Sequence, residues 1–139
     1  MVSLRVQFPV DDVASSALHD RVFGSALTGV HPWAARLARH SLSWVGAFDG
    51  EVLVGFVQLG WDGGVYAFLV DTAVDPAHQR RGTGRVLVAG AVAEATRAGC
   101  EWVHVDYEPH LASFYPDACG FRATDAGLLH LLPPTAGGN

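Results

Sequence analysis

The sequence predicts an α/β fold, one mixed sheet with helices on both faces, and three observations carry that expectation. Asp49-Gly50 and Trp61-Asp62-Gly63-Gly64 separate apolar, β-branched runs, as the turns of an antiparallel meander do. The last of these runs enters a glycine-rich turn, Gln79-Arg80-Arg81-Gly82-Thr83-Gly84-Arg85, and then an apolar stripe at helical spacing. Beyond the stripe lies a short run, Trp102, Val103 and Val105; reached by a helical crossover, it should run parallel to the strand before the turn.

The elements follow in order. Leu4, Val6 and Phe8 alternate with Arg5 and Gln7, a strand with one buried face ending at Pro9. Asp11 or Asp12 starts a helix whose Val13, Ala17, Leu18 and Val22 recur at helical spacing as far as Thr28-Gly29, and Pro32 opens a second short helix, Trp33 to His40. Segments 42–48, 52–59 and 65–74 form the meander, the first two joined at Asp49-Gly50 with positive φ at both positions. In the helix after the turn, Leu87, Val88, Ala91, Val92 and Ala95 face the sheet; Arg85, Glu94 and Arg97 point away and Gly99 stops it. Pro109 to Tyr115 reads as a short helix ended by Pro116, and 121–132 as a final hairpin around Asp125-Ala126-Gly127.

Composition bounds the answer. Half of the 139 residues are apolar, enough for the core of one domain over 1–132, with a loose Pro/Gly-rich tail over 133–139. A formal charge of −5 argues against nucleic acid and admits a cationic partner. Two cysteines, Cys100 and Cys119, make no disulfide framework, and the seven histidines lack ligand spacing, so no metal is expected and reduced cytoplasmic thiols are. The first twelve residues are unlike a signal peptide, and no apolar run is long enough for a bilayer, so no membrane partner is expected.

The turn between strand and helix carries the chemistry. Leading N–H groups of a helix lack partners and sit at the positive end of its macrodipole, so a phosphate satisfies both. Gly82 and Gly84 remove the Cβ atoms that would hold a ligand off, and Arg80 and Arg81 add guanidinium forks. The absence of Gly-Lys-Ser/Thr excludes a Walker loop. A dinucleotide fingerprint would want glycine at Leu87 and a position at the start of the fold, although Asp106 falls where a ribose-binding acid would. An ordinary surface turn with solubilising arginines is the remaining alternative.

The string Val70-Asp71-Thr72-Ala73-Val74-Asp75-Pro76-Ala77-His78-Gln79-Arg80-Arg81-Gly82-Thr83-Gly84 resembles the pyrophosphate-binding motif of the GNAT superfamily of acyl-CoA-dependent N-acyltransferases: valine, Asp-Pro, then Gln/Arg-x-x-Gly-x-Gly/Ala opening a long helix. Phe114-Tyr115 before Cys119-Gly120-Phe121 resembles its second signature, and the likeness runs from Leu4 to Leu132. It implies a mixed, mostly antiparallel sheet of six to seven strands flanked by about four helices, and direct transfer of acetyl from acetyl-CoA to a primary amine of an unidentified small-molecule or peptide acceptor, by a monomer or homodimer. Gln79 to Arg85 would hold the pyrophosphate with Phe114 beside it, and a main-chain N–H at Ala73 or Val74 would polarise the thioester carbonyl.

An attacking amine must lose a proton, and Asp71, His104, Asp106 and Glu108 are candidate bases. Asp71 comes first because a carboxylate on an otherwise apolar strand needs a reason; an ion pair or N–H acceptor at the sheet's end is the other reading. Tyr115 resembles the family's general acid for the departing thiolate, with an aromatic lid as its alternative. It stands five residues before Gly120, where the family's tyrosine stands four before its glycine; Pro116 could place the extra residue in the loop 116–119. His31, Trp33 and Trp44 could wall the acceptor pocket or simply pack, and Cys119 reads as a small buried apolar group. A non-catalytic acyl-CoA-binding sensor or partner module is the rival function, and a nucleotide-binding regulatory domain the third.

Overall fold

The computed structural model describes residues 1–24 and 29–132. Strand β1 (Val2–Val6) leads to helices α1 (Asp12–Phe23) and α2 (Trp33–His40), then β2 (Ser41–Asp49), β3 (Val52–Trp61) and β4 (Tyr66–Val74). Helix α3 (Thr83–Arg97) and strand β5 (Trp102–Val105) follow. The sheet order is β1-β2-β3-β4-β5, antiparallel except for β5, which runs parallel to β4 as the crossover requires.

Both ends of α1 have local causes. Asp11 caps α1 by accepting from Val13 N and Ala14 N, and Gly24 stops it in the left-handed region at φ 60°. The expected continuation to Thr28 falls on 25–28, and the loose tail on 133–139, both outside the described residues. The first hairpin turn is Gly50-Glu51 rather than Asp49-Gly50: Asp49 pairs with Val52, and Gly50 alone takes positive φ, 61°. Glycine at the first central position is what a type II′ turn demands.

Two apolar layers sandwich the sheet. Leu87, Val88, Ala91 and Ala95 of α3 join Val45, Val57, Leu59, Ala67 and Leu69 on one side. Leu18, Trp33 and Leu37 of α1 and α2 join Phe8, Phe48, Phe56 and Ala73 on the other. Glu94 does not point away: it is buried, accepts from Ser43 Oγ at 2.9 Å and pairs with Arg97, one turn further along α3.

Two expectations fail at the C-terminal end. The sheet has five strands, not six to seven, because 121–132 forms no hairpin. A hairpin is marginal by itself, and this segment lies on neither sheet edge, so nothing repays its ordering. Nor does a helix over Pro109–Tyr115 end at Pro116: a 3₁₀ turn, Pro109–Leu111, precedes a π-helical turn, Ser113–Ala118, that contains Pro116.

Candidate active site

The site begins with a bulge. Along β4, Ala67 and Leu69 face α3, and strict alternation would send residues 71 and 73 the same way. Instead Asp71 takes φ 58°, the register jumps between Phe56↔Ala73 and Gln58↔Val70, and Ala73 lands in the α1/α2 layer while Val74 joins the α3 layer. One extra residue therefore reverses the facing of the strand's last turn. Aspartate is among the few residues that enter the left-handed region readily.

The same strand parts from its neighbour there. β5 pairs only with Tyr66–Leu69 and ends at Val105, so β4 beyond the bulge has no parallel partner. Asp75 N–H bonds to Val54 O on β3 at 2.8 Å. Successive amides point to opposite strand edges, which turns Val74 N–H towards the vacated β5 side. Val74 O on that side accepts from Gln79 Nε2 at 3.0 Å, tying the strand's end to the following turn.

That turn is shaped for an anion. Arg80 and Gly82 both take positive φ, 64° and 79°, and Gly82 begins α3 with no side-chain cap. The first bond of the helical ladder runs from Val86 N to Gly82 O, leaving the amides of Thr83, Gly84 and Arg85 ahead of it. Thr83 is buried, whereas Arg80, Arg81 and Arg85 are exposed and make no ion pair among the described residues. A Cβ on Gly84 would come within 3.3 Å of the Phe114 ring, so that backbone is approached closely by the second signature. These features fit a pyrophosphate.

The insertion before Gly120 is absorbed by the π-helical turn, not by a loop: Cys119 N bonds to Phe114 O at 2.9 Å, an i to i−5 closure that takes one more residue than an α-turn. Tyr115 is thereby held inward, 7% exposed, edge-on to Phe114 at 4.7 Å and beside Tyr107 and Phe121. Burial pushes its phenol above the ordinary value, with the neighbouring Thr72 side chain opposing the shift. The hydroxyl therefore stays protonated at neutral pH.

Asp71 lies on the opposite face. It accepts from Gln58 Nε2 at 2.5 Å, and Gln58 Oε1 accepts from Ser41 Oγ at 2.6 Å, a chain crossing from β2 to β4. The Asp71 charge also acts on His19 of α1, whose pKa is lowered chiefly by burial and partly restored by hydrogen bonding to Ser15 O and by that carboxylate. Neither Gln58 nor His19 belongs to a motif; strand register brings in the first and the packing of α1 on the sheet the second.

Other sequence candidates go elsewhere. His104 stacks against Phe68 with Tyr66 tilted beside it, and Asp106 and Glu108 are exposed past the end of β5. Trp33 is buried in the core against His19 at 4.0 Å, Trp44 donates its Nε1 to Phe8 O at 3.0 Å, and His31 N bonds to Ser16 Oγ at 2.9 Å. Burial raises the Cys119 pKa, which disfavours thiolate. Among the described residues no group of His, Cys, Asp or Glu is placed to hold a metal, and no helix is long and apolar enough to cross a membrane. A cavity of about 320 Å³ between Arg5, Phe8, Asp11 and Leu53 is lined by no residue of the turn 79–85.

A bulged strand that leaves its parallel neighbour beside an uncapped, arginine-flanked helix N-terminus is a framework for gripping a phosphate-bearing ligand next to an open cleft. The sequence profile of the Acetyltransferase (GNAT) family matches residues 11–121, and the chain belongs to that family. Over 78 residues it is 41% identical to a mycothiol acetyltransferase from Brachybacterium faecium, a stretch covering 56% of this chain and only 19% of that curated relative. Its fold is shared with an acetyltransferase from Trypanosoma brucei at TM-score 0.80 and 20% identity, over 95% of this chain and 100% of the other. It is shared too with the aminoglycoside N-acetyltransferase AAC(6')-Iy in complex with CoA, at TM-score 0.70 and 20% identity, over 94% and 93% of the two chains.

Proposed function

We propose that this chain transfers the acetyl group of acetyl-CoA directly to a primary amine. The observation that carries the reading is the uncapped start of α3, with Gly82 and Gly84 in line and three arginines that make no ion pair among the described residues, set where β4 parts from β5. The amides of Thr83–Arg85 with Arg80, Arg81 and Arg85 would hold the pyrophosphate, Gln79 would brace the turn through Val74 O, and Phe114 would back it. The CoA bound by the aminoglycoside acetyltransferase supports this choice of donor.

Val74 N–H faces the gap between the strands and would stabilise charge growing on the thioester oxygen, with Ala73 fixing its place in the opposite layer. Asp71 would take the amine proton, directly or through water, on the α1/α2 face, and Tyr115 would protonate the departing thiolate from the α3 face. Base and acid on opposite faces of one strand suit a transfer in which the nucleophile arrives on one side and the leaving group departs on the other.

The test is turnover with a panel of small amines, reading both thiol release and acetylated product by mass. The chain contains no lysine, so acetylation of the protein itself is confined to its N-terminus and background is low. Amine-dependent thiol release is the expected result. Saturable acetyl-CoA binding with no product from any amine would leave the sensor reading instead.

A further inference from the structure

The turn before α3 keeps its anion-shaped conformation under strain. The ladder of α3 begins with the bond from Val86 N to Gly82 O, so residues 79–81 lie outside it, and Arg80, a residue with a side chain, takes φ 64°. A left-handed arginine persists only where its surroundings hold it. Those surroundings act through the 3₁₀ turn Pro76–His78 just before it. At one end Asp75 accepts from Ala77 N at 3.0 Å and from Arg21 Nε of α1 at 3.0 Å. At the other end His78 Nε2 lies 3.3 Å from Asp49 Oδ2, at the close of β2. The Asp49 carboxyl is held below the ordinary carboxylate range, with the hydrogen bond to His78 first among the causes, so Asp49 accepts and the imidazole donates. His78 Nδ1 is buried without a partner, so among the described residues Asp49 is the only hydrogen-bond partner of that ring. The His78 side chain is 18% exposed, which shelters the bond from water.

We propose that His78 is a positioning residue for the acyl-CoA donor: its bond to Asp49 latches the strained turn to the β2–β3 hairpin and keeps Arg80 and Gly82 in the shape that receives a pyrophosphate. The inference rests on the donor reading above and adds how that site is kept ready before the ligand arrives. Asp75 and Arg21 fix where the chain leaves β4; His78, just ahead of Gln79 and Arg80, fixes how it enters the anion site. Without the latch the turn would spread over several shapes, and the apparent affinity would fall by the fraction that still binds. His78 is not asked to touch the phosphates or the reacting atoms. Its effect therefore falls on donor affinity and not on kcat.

Calorimetric titration of the full chain with CoA, without an acceptor, tests the latch. His78→Ala should weaken CoA binding about tenfold, the loss expected if one molecule in about ten keeps a competent turn, with kcat at saturating acetyl-CoA unchanged. His78→Gln keeps a donor near the Nε2 position and should bind as the parent does. Asp49→Ala should match His78→Ala, and the double variant should be no weaker than either, since all three remove one bond. Trypsin gives a reading free of ligand: the chain has no lysine, and cleavage after Arg80 and Arg81 should quicken in His78→Ala while cleavage after Arg122 does not. Parental affinity in His78→Ala overturns the proposal, as do additive losses in the double variant or an unchanged tryptic pattern. Should His78→Ala unfold, with every arginine site quickening together, Asp49→Ala decides by the same measures. A parent that binds no CoA would instead overturn the donor reading, and the proposal with it.

Discussion

On the α3 side of β4, Ala67 and Leu69 join a closed apolar layer, and Tyr115 is sealed among aromatic rings. On the other side Tyr66, Phe68 and Val70 are each about two-fifths exposed, and the bulge turns Asp71 into a polar chain with Gln58 and Ser41. One strand thus presents a dry face, where burial raises a phenol further above neutral pH, and a wetter face, where a carboxylate is held by a side-chain hydrogen bond. In the proposed reaction the dry face handles the acyl donor and the wetter face the acceptor. The donor side relies on backbone geometry shared by any CoA thioester; the acceptor side relies on side chains that can differ from chain to chain.

The contrast breaks most severely at its two proton-handling groups. Tyr115→Phe should lower kcat by roughly 10²–10⁴-fold, the usual worth of general acid catalysis, with little change in KM for acetyl-CoA. The alkaline limb of the parental profile should vanish with it. Asp71→Asn keeps a residue tolerant of the left-handed conformation, so the bulge should survive, and the rate should fall most at low pH, where the amine is hardest to deprotonate. Pre-steady-state thiol release across pH measures both. If each variant turned over at the parental rate, the two faces would not divide the proton work.

Next in size is the donor grip. Acetyl-CoA at a hundred times its Kd should stabilise the parent by about 2.7 kcal/mol, and NAD should not. Gly84→Val places branches against Phe114 and over the amides, and should abolish that shift. Gly82→Ala meets open space but a strained φ, so it should cost stability of about 1 kcal/mol while retaining much of the ligand shift. Thermal melts with and without ligand separate the two glycines.

A smaller effect probes the wetter face. Gln58 touches Asp71 but is not expected to touch the reacting atoms, so Gln58→Leu should act by releasing the carboxylate from its position. A loss of about tenfold in kcat/KM, about 1.4 kcal/mol, is expected, with a broadened acid limb. Gln58→Glu should be worse than Leu, since like charges would then meet Asp71. Rates for the pair of variants at several pH values provide the check.

Sequence legibility divides along the same line. The turn Gln79–Arg85, the crossover into β5 and the meander are local and follow from turn chemistry and periodicity. The π-helical turn was signalled by one extra residue between Tyr115 and Gly120, but spacing alone does not say whether a helix or a loop absorbs an insertion. Gln58 meets Asp71 through a bulge, and a bulge is a property of strand register, invisible until both strands are aligned. The leucines at 128–132 look like a strand because they have the composition of one; whether they pair depends on an edge elsewhere.

The smallest expected effect lies behind the wetter face, at His19. Burial is the main reason its pKa is lowered, with Arg36 adding to the shift and Ser15, Asp71 and Asp20 opposing it. A histidine whose folded pKa is below its unfolded value of about 6.5 folds best uncharged. Its contribution is complete above that unfolded value and is lost as pH falls from there through the folded pKa, because the unfolded chain takes up the proton first. Asp75, depressed mainly by Ala77 N–H and also by Arg21, behaves similarly but only below the ordinary carboxylate range near 3.9, so the two windows separate. His19→Phe retains a ring against Trp33 and removes the titration, at the cost of the hydrogen bond to Ser15 O. Urea denaturation at neutral pH and at about pH 5, below the unfolded histidine value and above the carboxylate range, should therefore show a shallower loss of stability on acidification for the variant than for the parent. Equal losses would mean that His19 is as free to protonate in the folded chain as in the unfolded one, and that the core beneath Asp71 is wetter than its packing implies.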